Sequence, residues 1–441
     1  MFTISRIQLS KVAMAASIGS LIEWYDFFIA GTAAAAVWPI VFFPKEDPIA
    51  AIVFSISTFA LIYFSRPLAA FLFGHFGDKI GRKSTLVWTL IVMAVGMFGI
   101  ALTPSYSSIG VVAPILIAIF RFIQGLGIGG EWQGAIVWLA EFAPKRTRGF
   151  WISLVQLANP LGICLGTLVF IWVVSVIPSR EDFLNYGWRI PFLIGGLVVI
   201  VGFIIRYRMM ESPLFKEIQN KRSTEVLPSI FVWKAYWPKI LLFAVVTSYV
   251  VAVVNLNLNP FGITYMTAKG LNSTFVLLAV GASAVFGAIA VVLGGVLSDK
   301  IGRRRALLIS TALTAVALYP FYLMVNTLVT FFVIIALFLL YAIIYLGYGV
   351  YAITFAEHFP TKFRYSGVGW AFQIGAVITG VLLVVVVPTL VRISGGPANI
   401  WPYLILLSLI ITLAALAASL TLREPLKDEL TITTSGHQQN G

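Results

Sequence analysis

Asp78-Lys79-Ile80-Gly81-Arg82 recurs letter for letter as Asp299-Lys300-Ile301-Gly302-Arg303, 221 residues further along the chain. A second pattern, Glu-x-x-Pro-x-x-x-Arg, stands at Glu141, Pro144 and Arg148 and again at Glu357, Pro360 and Arg364, a displacement of 216 residues. Two unrelated coincidences at almost one spacing are improbable, so the chain reads as a unit of about half its length, duplicated in parallel. Each pentad follows the second long apolar stretch of its half.

The chain around these repeats has 441 residues, 60% of them hydrophobic and 11% charged, with a mean hydropathy of +0.97. That leaves too little polar surface for a water-soluble fold, and a membrane is the solvent that fits. A helix crossing about 30 Å of hydrocarbon needs about 20 apolar residues. Twelve stretches qualify: 12–38, 50–74, 84–103, 111–139, 151–177, 190–208, 238–266, 273–298, 305–325, 328–355, 366–392 and 400–422. Lipid offers no partner to backbone polar groups, so these are expected to be helices. The first, roughly Val12 to Trp38, is too long for the core of a cleaved leader and is expected to stay as the first helix. An even number of spans puts both termini on one side. About 23 of the 30 Lys and Arg fall there, which marks it as cytoplasmic. The net charge of +13 is then a matter of orientation, and no nucleic-acid partner is expected.

The expected fold is an all-α polytopic membrane protein of two six-helix bundles, 1–208 and 238–422. A cytoplasmic linker, 209–237, joins them, and a flexible cytoplasmic tail, 423–441, follows. Parallel repeats around a central linker describe a transporter whose halves rock about a solute site near the bilayer midplane. Other classes are disfavoured. Cys164 is the single cysteine, and His75, His358 and His437 lack the spacing of a metal site. With no nucleophile–base set, Walker loop or haem motif, neither an enzyme nor a bound cofactor is expected. Trp38, Trp88, Trp151, Trp188, Trp237 and Trp401 fall near span ends and are expected to be interfacial anchors.

The segment Gly74-His75-Phe76-Gly77-Asp78-Lys79-Ile80-Gly81-Arg82-Lys83 resembles the loop signature between helices 2 and 3 of the major facilitator superfamily. Further strings resemble its metabolite:proton symporter branch, which includes shikimate, α-ketoglutarate, citrate and proline/betaine permeases. They are Glu23-Trp24-Tyr25-Asp26-Phe27-Phe28, Arg66-Pro67-Leu68, Arg121-Phe122-Ile123-Gln124-Gly125, Gly129-Gly130-Glu131-Trp132 and Gly187-Trp188-Arg189-Ile190-Pro191-Phe192. The run Ile22 to Ala36 with Phe42-Phe43-Pro44 looks most like shikimate-type permeases. The resemblance implies a multi-pass protein of a prokaryotic-type plasma membrane, functional as a monomer, taking up with protons a small organic acid such as shikimate or a di- or tricarboxylate.

Ionisable groups inside a span cost about 2.5–3.5 kcal/mol each, so each is a functional candidate. Glu23, Asp26, Arg66, Arg121 and Glu131 lie there, all in the first half. Glu23 and Asp26 share a helix face, about 17 and 21 Å from the cytoplasmic end, and Arg121 reaches a similar depth. Asp26 or Glu23 is expected to exchange a proton as its pairing with Arg121 is made and broken. In related transporters of the superfamily an acidic residue on helix 1 paired with Arg on helix 4 has this role. Arg66 and Glu131 fall together in the inner third and are expected to pair with each other or to meet substrate. A guanidinium of Arg66 or Arg121 facing the cavity would match a substrate carboxylate.

The second half offers polar and aromatic candidates. Asn255, Asn257, Asn259 and Pro260 interrupt helix 7, which predicts a discontinuous helix. Tyr341, Tyr345, Tyr348 and Tyr351 form one stripe of helix 10, a pattern that suits core packing or a cavity wall. Gln156, Asn159 and Pro160 on helix 5, with Trp370 and Gln373 on helix 11, complete the candidate substrate set. Resemblance assigns Asp78, Arg82, Glu141 and Arg148, with Asp299, Arg303, Glu357 and Arg364, to a latch closing the inner gate. Alternatives to acid uptake are symport of a zwitterion such as betaine, proton-driven export, and uncoupled facilitation.

Overall fold

The computed structural model describes residues 5–46, 48–220, 227–259 and 261–425. Pro260, Lys221, Arg222 and the tail from 426, including His437, lie outside the described residues. Among the described residues, twelve helical spans are long and apolar enough to cross a bilayer: α1 (Arg6–Ala34), α2 (Ser57–Lys79), α3 (Arg82–Leu102), α4 (Val112–Phe142), α5 (Lys145–Val176), α6 (Gly187–Tyr207), α7 (Pro228–Ala268), α8 (Ser273–Ile301), α9 (Arg303–Asn326), α10 (Thr330–His358), α11 (Thr361–Ile393) and α12 (Trp401–Thr421). No strand occurs among the described residues.

The sequence repeat is also a packing repeat. In the first half α1 packs on α5 and α6, α2 on α4, and α3 on α4 and α6. In the second half the corresponding helices make the same pairs: α7 with α11 and α12, α8 with α10, and α9 with α10 and α12. The halves meet chiefly along α2 against α11 and α5 against α8, which are again equivalent under the repeat.

Local chemistry sets the breaks. Gly81 and Gly302 of the two pentads sit at φ +122° and +99°, a backbone region that only glycine enters freely, and each separates two helices. Helix α7 starts within the predicted linker at Pro228 and bends at Tyr236 (φ −128°, ψ 15°), two residues before Pro238. It stops at Asn257 and resumes at Phe261, the discontinuity its amides predict. Helix α5 breaks at Leu157, between Gln156 and the Asn159-Pro160 pair.

Trp88 and Trp237 are more than half exposed, as membrane anchors should be. Trp38 and Trp188 are not anchors, because both are fully buried and pack around Phe192. Position near a span end fixes a side chain's depth but not the direction it faces. Arg189, beside Trp188, donates to the carbonyls of Ala101 (2.6 Å) and Thr103 (2.5 Å) and so satisfies the end of α3.

Candidate functional site

Apart from the repeated motifs, the buried charges described in the first half sort into three pairs. Asp26 on α1 accepts from Arg121 Nη1 on α4 at 3.4 Å and from Gln124 Nε2. Arg121 also donates to Gln124 Oε1, so the three fully buried side chains close a triangle. Sequence reasoning missed Gln124, although it lies one helical turn from Arg121. Glu131 on α4 is held bidentately by Arg206 of α6 and accepts from Thr89 Oγ1 at 2.8 Å. Arg206 further donates to the Ala15 and Ala16 carbonyls of α1. The expected Arg66–Glu131 pair is therefore corrected: both oxygens of Glu131 are committed to Arg206 and Thr89. Depth along two helices does not give their azimuth, and Arg206 at the end of its span reads as an ordinary loop-side arginine.

Glu23 is the third case. Its charged contact is Arg66 of α2, at a loose 3.8 Å, and neither carboxylate oxygen has a hydrogen-bond donor although the residue is 1% exposed. The Arg66 guanidinium lies over the rings of Tyr63 (5.6 Å) and Phe372 of α11 (6.0 Å). This pair sits where the halves meet. Across from it the four α10 tyrosines form a ladder with ring centroids 5.3, 5.3 and 5.2 Å apart. Tyr345 donates to Asn159 Oδ1 at 2.5 Å, and Gln156 Nε2 donates to the Tyr348 carbonyl at 3.0 Å. Trp132 donates to Gln156 Oε1 and stacks between Phe372 (3.9 Å) and Tyr351 (5.4 Å). Gln373 donates to the Gly129 carbonyl and to Gln133 Oε1, again across the halves.

The geometry thus gathers Glu23, Arg66, Gln156, Asn159, Tyr345, Tyr348 and Gln373 at one interface. Buried polar groups are normally paired, yet both Glu23 oxygens, Arg66 Nε, the Tyr348 and Tyr351 hydroxyls and Gln373 Oε1 are not. Such a set can hydrogen-bond a polar solute.

Other candidates lie elsewhere. Asn257 faces into the second bundle, accepting from Tyr322 and donating to Ser408 and the Val253 carbonyl, so its amide serves as a structural tie. Trp370 packs on Trp233 rather than in the cluster. Asn255 donates to its own helix at Val251. Asn259 reaches the outer end of the ladder at Tyr341.

The repeated motifs meet at the end of the molecule where α1 begins and α12 ends. Asp78 accepts from the backbone N–H groups of Tyr365 (3.2 Å) and Ser366 (2.9 Å), in the first turn of the helix that Arg364 opens in the other half. Asp299 accepts in the same way from Gly149 and Phe150, both at 2.9 Å, after Arg148. Each motif glutamate bridges two arginines, one from each half: Glu141 takes Arg82 (3.3 Å) and Arg364 (2.8 Å), and Glu357 takes Arg303 (2.9 Å) and Arg148 (3.0 Å). Two glutamates absent from the sequence expectation complete the pattern. Glu211, after α6, accepts from the N–H groups of Arg82 and Lys83, and Glu424, after α12, accepts from those of Arg303 and Arg304. Each caps a helix start, where a carboxylate is favoured. Burial pushes the Glu211 carboxyl above its ordinary range, against the pull of the Ser212 and Lys83 N–H groups and of Arg82.

The sequence profile of the Major Facilitator Superfamily matches residues 16–371 and 257–438. An inner membrane metabolite transport protein of Escherichia coli (strain K12) is 34% identical over 84% of this chain and 85% of its own. The proline/betaine transporter of the same organism is 32% identical over 85% of this chain and 76% of its own, and its shikimate transporter is 32% identical over 86% and 87%. The solved proton:xylose symporter XylE, bound to 6-bromo-6-deoxy-D-glucose, superposes with a TM-score of 0.75 over 95% of both chains at 16% identity. Duplicated helix packing, crossed motif contacts and profile agree, and the chain belongs to the Major Facilitator Superfamily as a multi-pass plasma-membrane transporter.

Proposed function

We propose that this transporter takes up a small organic acid together with protons, by alternating access at the interface between its halves. The observation that carries the reading is the buried Glu23–Arg66 pair, loosely matched and poorly hydrogen-bonded, at the surface where α1 and α2 meet α10 and α11. A guanidinium there offers a fork for a carboxylate, and the acid beside it offers a proton site. Asp26 and Arg121, with Gln124, form a second coupling element whose pairing changes as the halves move. Names of relatives such as the shikimate transporter support an acidic solute. Uptake of a zwitterion is the second reading, favoured by a site holding one acid and one arginine and by the relative named a proline/betaine transporter.

The crossed Asp78 and Asp299 contacts are the latch of the cytoplasmic gate, and the conformation is the one closed on that side. The two six-helix units rock against each other, with the segment between α6 and α7 as their tether and the monomer as the working unit. Purified protein in proteoliposomes, given labelled shikimate and a step to acid outside, should accumulate it, and a protonophore should abolish accumulation. Downhill equilibration that ignores the protonophore would leave a facilitator in place of a symporter.

A further inference from the structure

The charges around the interface cancel pair by pair, and that balance limits what can be carried. The charged and titratable groups facing Glu23 are Asp26 of its own helix, Arg66 of α2, Glu131 of α4, Arg206 of α6, and the α10 phenols Tyr348 and Tyr351. Asp26 is neutralised by Arg121 through one hydrogen bond and accepts a second from Gln124, and Glu131 is neutralised by Arg206 through two. Of the three pairs Glu23–Arg66 lacks such bonds, so it changes partners at the least cost in broken hydrogen bonds.

We infer that the substrate is a monocarboxylate that takes Arg66 from Glu23, while Glu23 takes up one proton, giving electroneutral one-to-one symport. This rests on the symport reading above. The empty site holds Glu23⁻ and Arg66⁺ and is neutral. An anion placed on Arg66 leaves the Glu23 charge buried without a partner, and one proton from the outer water restores neutrality. Loaded and empty carriers are then both uncharged and both cross. A dicarboxylate brings a second negative charge for which no other free acid is present among these groups. A zwitterion needs no proton. The unpaired Tyr348 and Tyr351 hydroxyls and the Gln373 carbonyl oxygen offer hydrogen bonds to a hydroxylated body on that carboxylate.

The test uses full-length protein in proteoliposomes with three labelled probes: shikimate, 2-oxoglutarate and glycine betaine. The expected result is pH-driven accumulation of shikimate alone, at a level that does not respond to a potential clamped with potassium and valinomycin. Glu23→Gln locks the site in its protonated form. The loaded carrier stays neutral, but the empty one must return with Arg66 unpaired, so net uptake should fall by at least about 100-fold. Exchange of internal for external shikimate, which never passes through the empty carrier, should fall less than tenfold, and that exchange also shows the variant is folded. Potential-dependent accumulation, equal pH-driven uptake of 2-oxoglutarate or glycine betaine, or intact net uptake by Glu23→Gln overturns the inference and leaves symport standing. Failure of the parent protein to accumulate any probe under a pH gradient overturns both.

Discussion

Asp78 and Asp299 should set how long the gate stays closed, and replacing them with asparagine should measure it. Each carboxylate receives two backbone N–H groups across the interface, at 2.9–3.2 Å, from the first turn of a helix in the opposite half. A hydrogen bond to a charged acceptor contributes about 1.5–3 kcal/mol. Asparagine keeps one acceptor oxygen and presents its NH₂ to the second N–H, so each substitution should lose about one such bond, or about 10–100-fold in the closed-to-open ratio. The two sites share no partner, so the double variant should lose about 10²–10⁴-fold. Lys79 and Lys300 are exposed, equivalent under the repeat, and on opposite halves. Spin labels at Lys79→Cys and Lys300→Cys, with Cys164→Ser removing the native thiol, report the gate by double electron–electron resonance. The parent should give one dominant distance, and Asp78→Asn with Asp299→Asn a second, longer population that dominates. A distribution that superimposes on the parent's, with unchanged uptake, refutes the latch.

Three further outcomes follow from particular contacts. Arg206→Leu leaves Glu131 buried with Thr89 as its remaining side-chain partner and should cost about 3–5 kcal/mol, read as a large fall in the thermal unfolding midpoint in detergent, whereas Thr89→Val should cost about 1 kcal/mol. Tyr345→Phe removes the hydroxyl that bridges to Asn159 and should weaken the closed interface by about 1 kcal/mol, seen as faster exchange of labelled solute. An unchanged rate would place that bond outside the transport cycle. Glu211 has its carboxyl raised by burial when docked, so the docked linker binds a proton more readily than the released one. Its stabilising contribution is therefore present at low pH and lost as pH rises from the ordinary value of 4.5 through the raised one. Hydrogen exchange of helix Pro213–Asn220 should slow on acidification across that window once intrinsic rates are divided out, and Glu211→Gln should flatten the dependence. Protection that grows with pH would contradict the sign.

The amino-acid sequence by itself determined the number of spans, the duplication and the residues of the repeated motifs. Those features are one-dimensional: a bilayer demands a fixed run of apolar residues, and a repeated turn needs its glycine wherever φ is positive, as at Gly81 and Gly302. The Asp26–Arg121 pair was legible too, because buried charges are few and two of them share a depth. Tertiary structure alone decided the rest. Whether Glu131 meets Arg66 or Arg206, whether Asn257 faces the interface or its own bundle, and whether Trp188 anchors or packs all depend on how each helix is rotated about its axis. Periodicity leaves that rotation open when every face is apolar. The capping roles of Glu211 and Glu424 were hidden for a related reason: each acts on backbone N–H groups about 120 residues or more away, which no side-chain pattern records. Rotation and long-range closure are set by packing, and packing is what left Glu23 and Arg66 facing each other with too few partners.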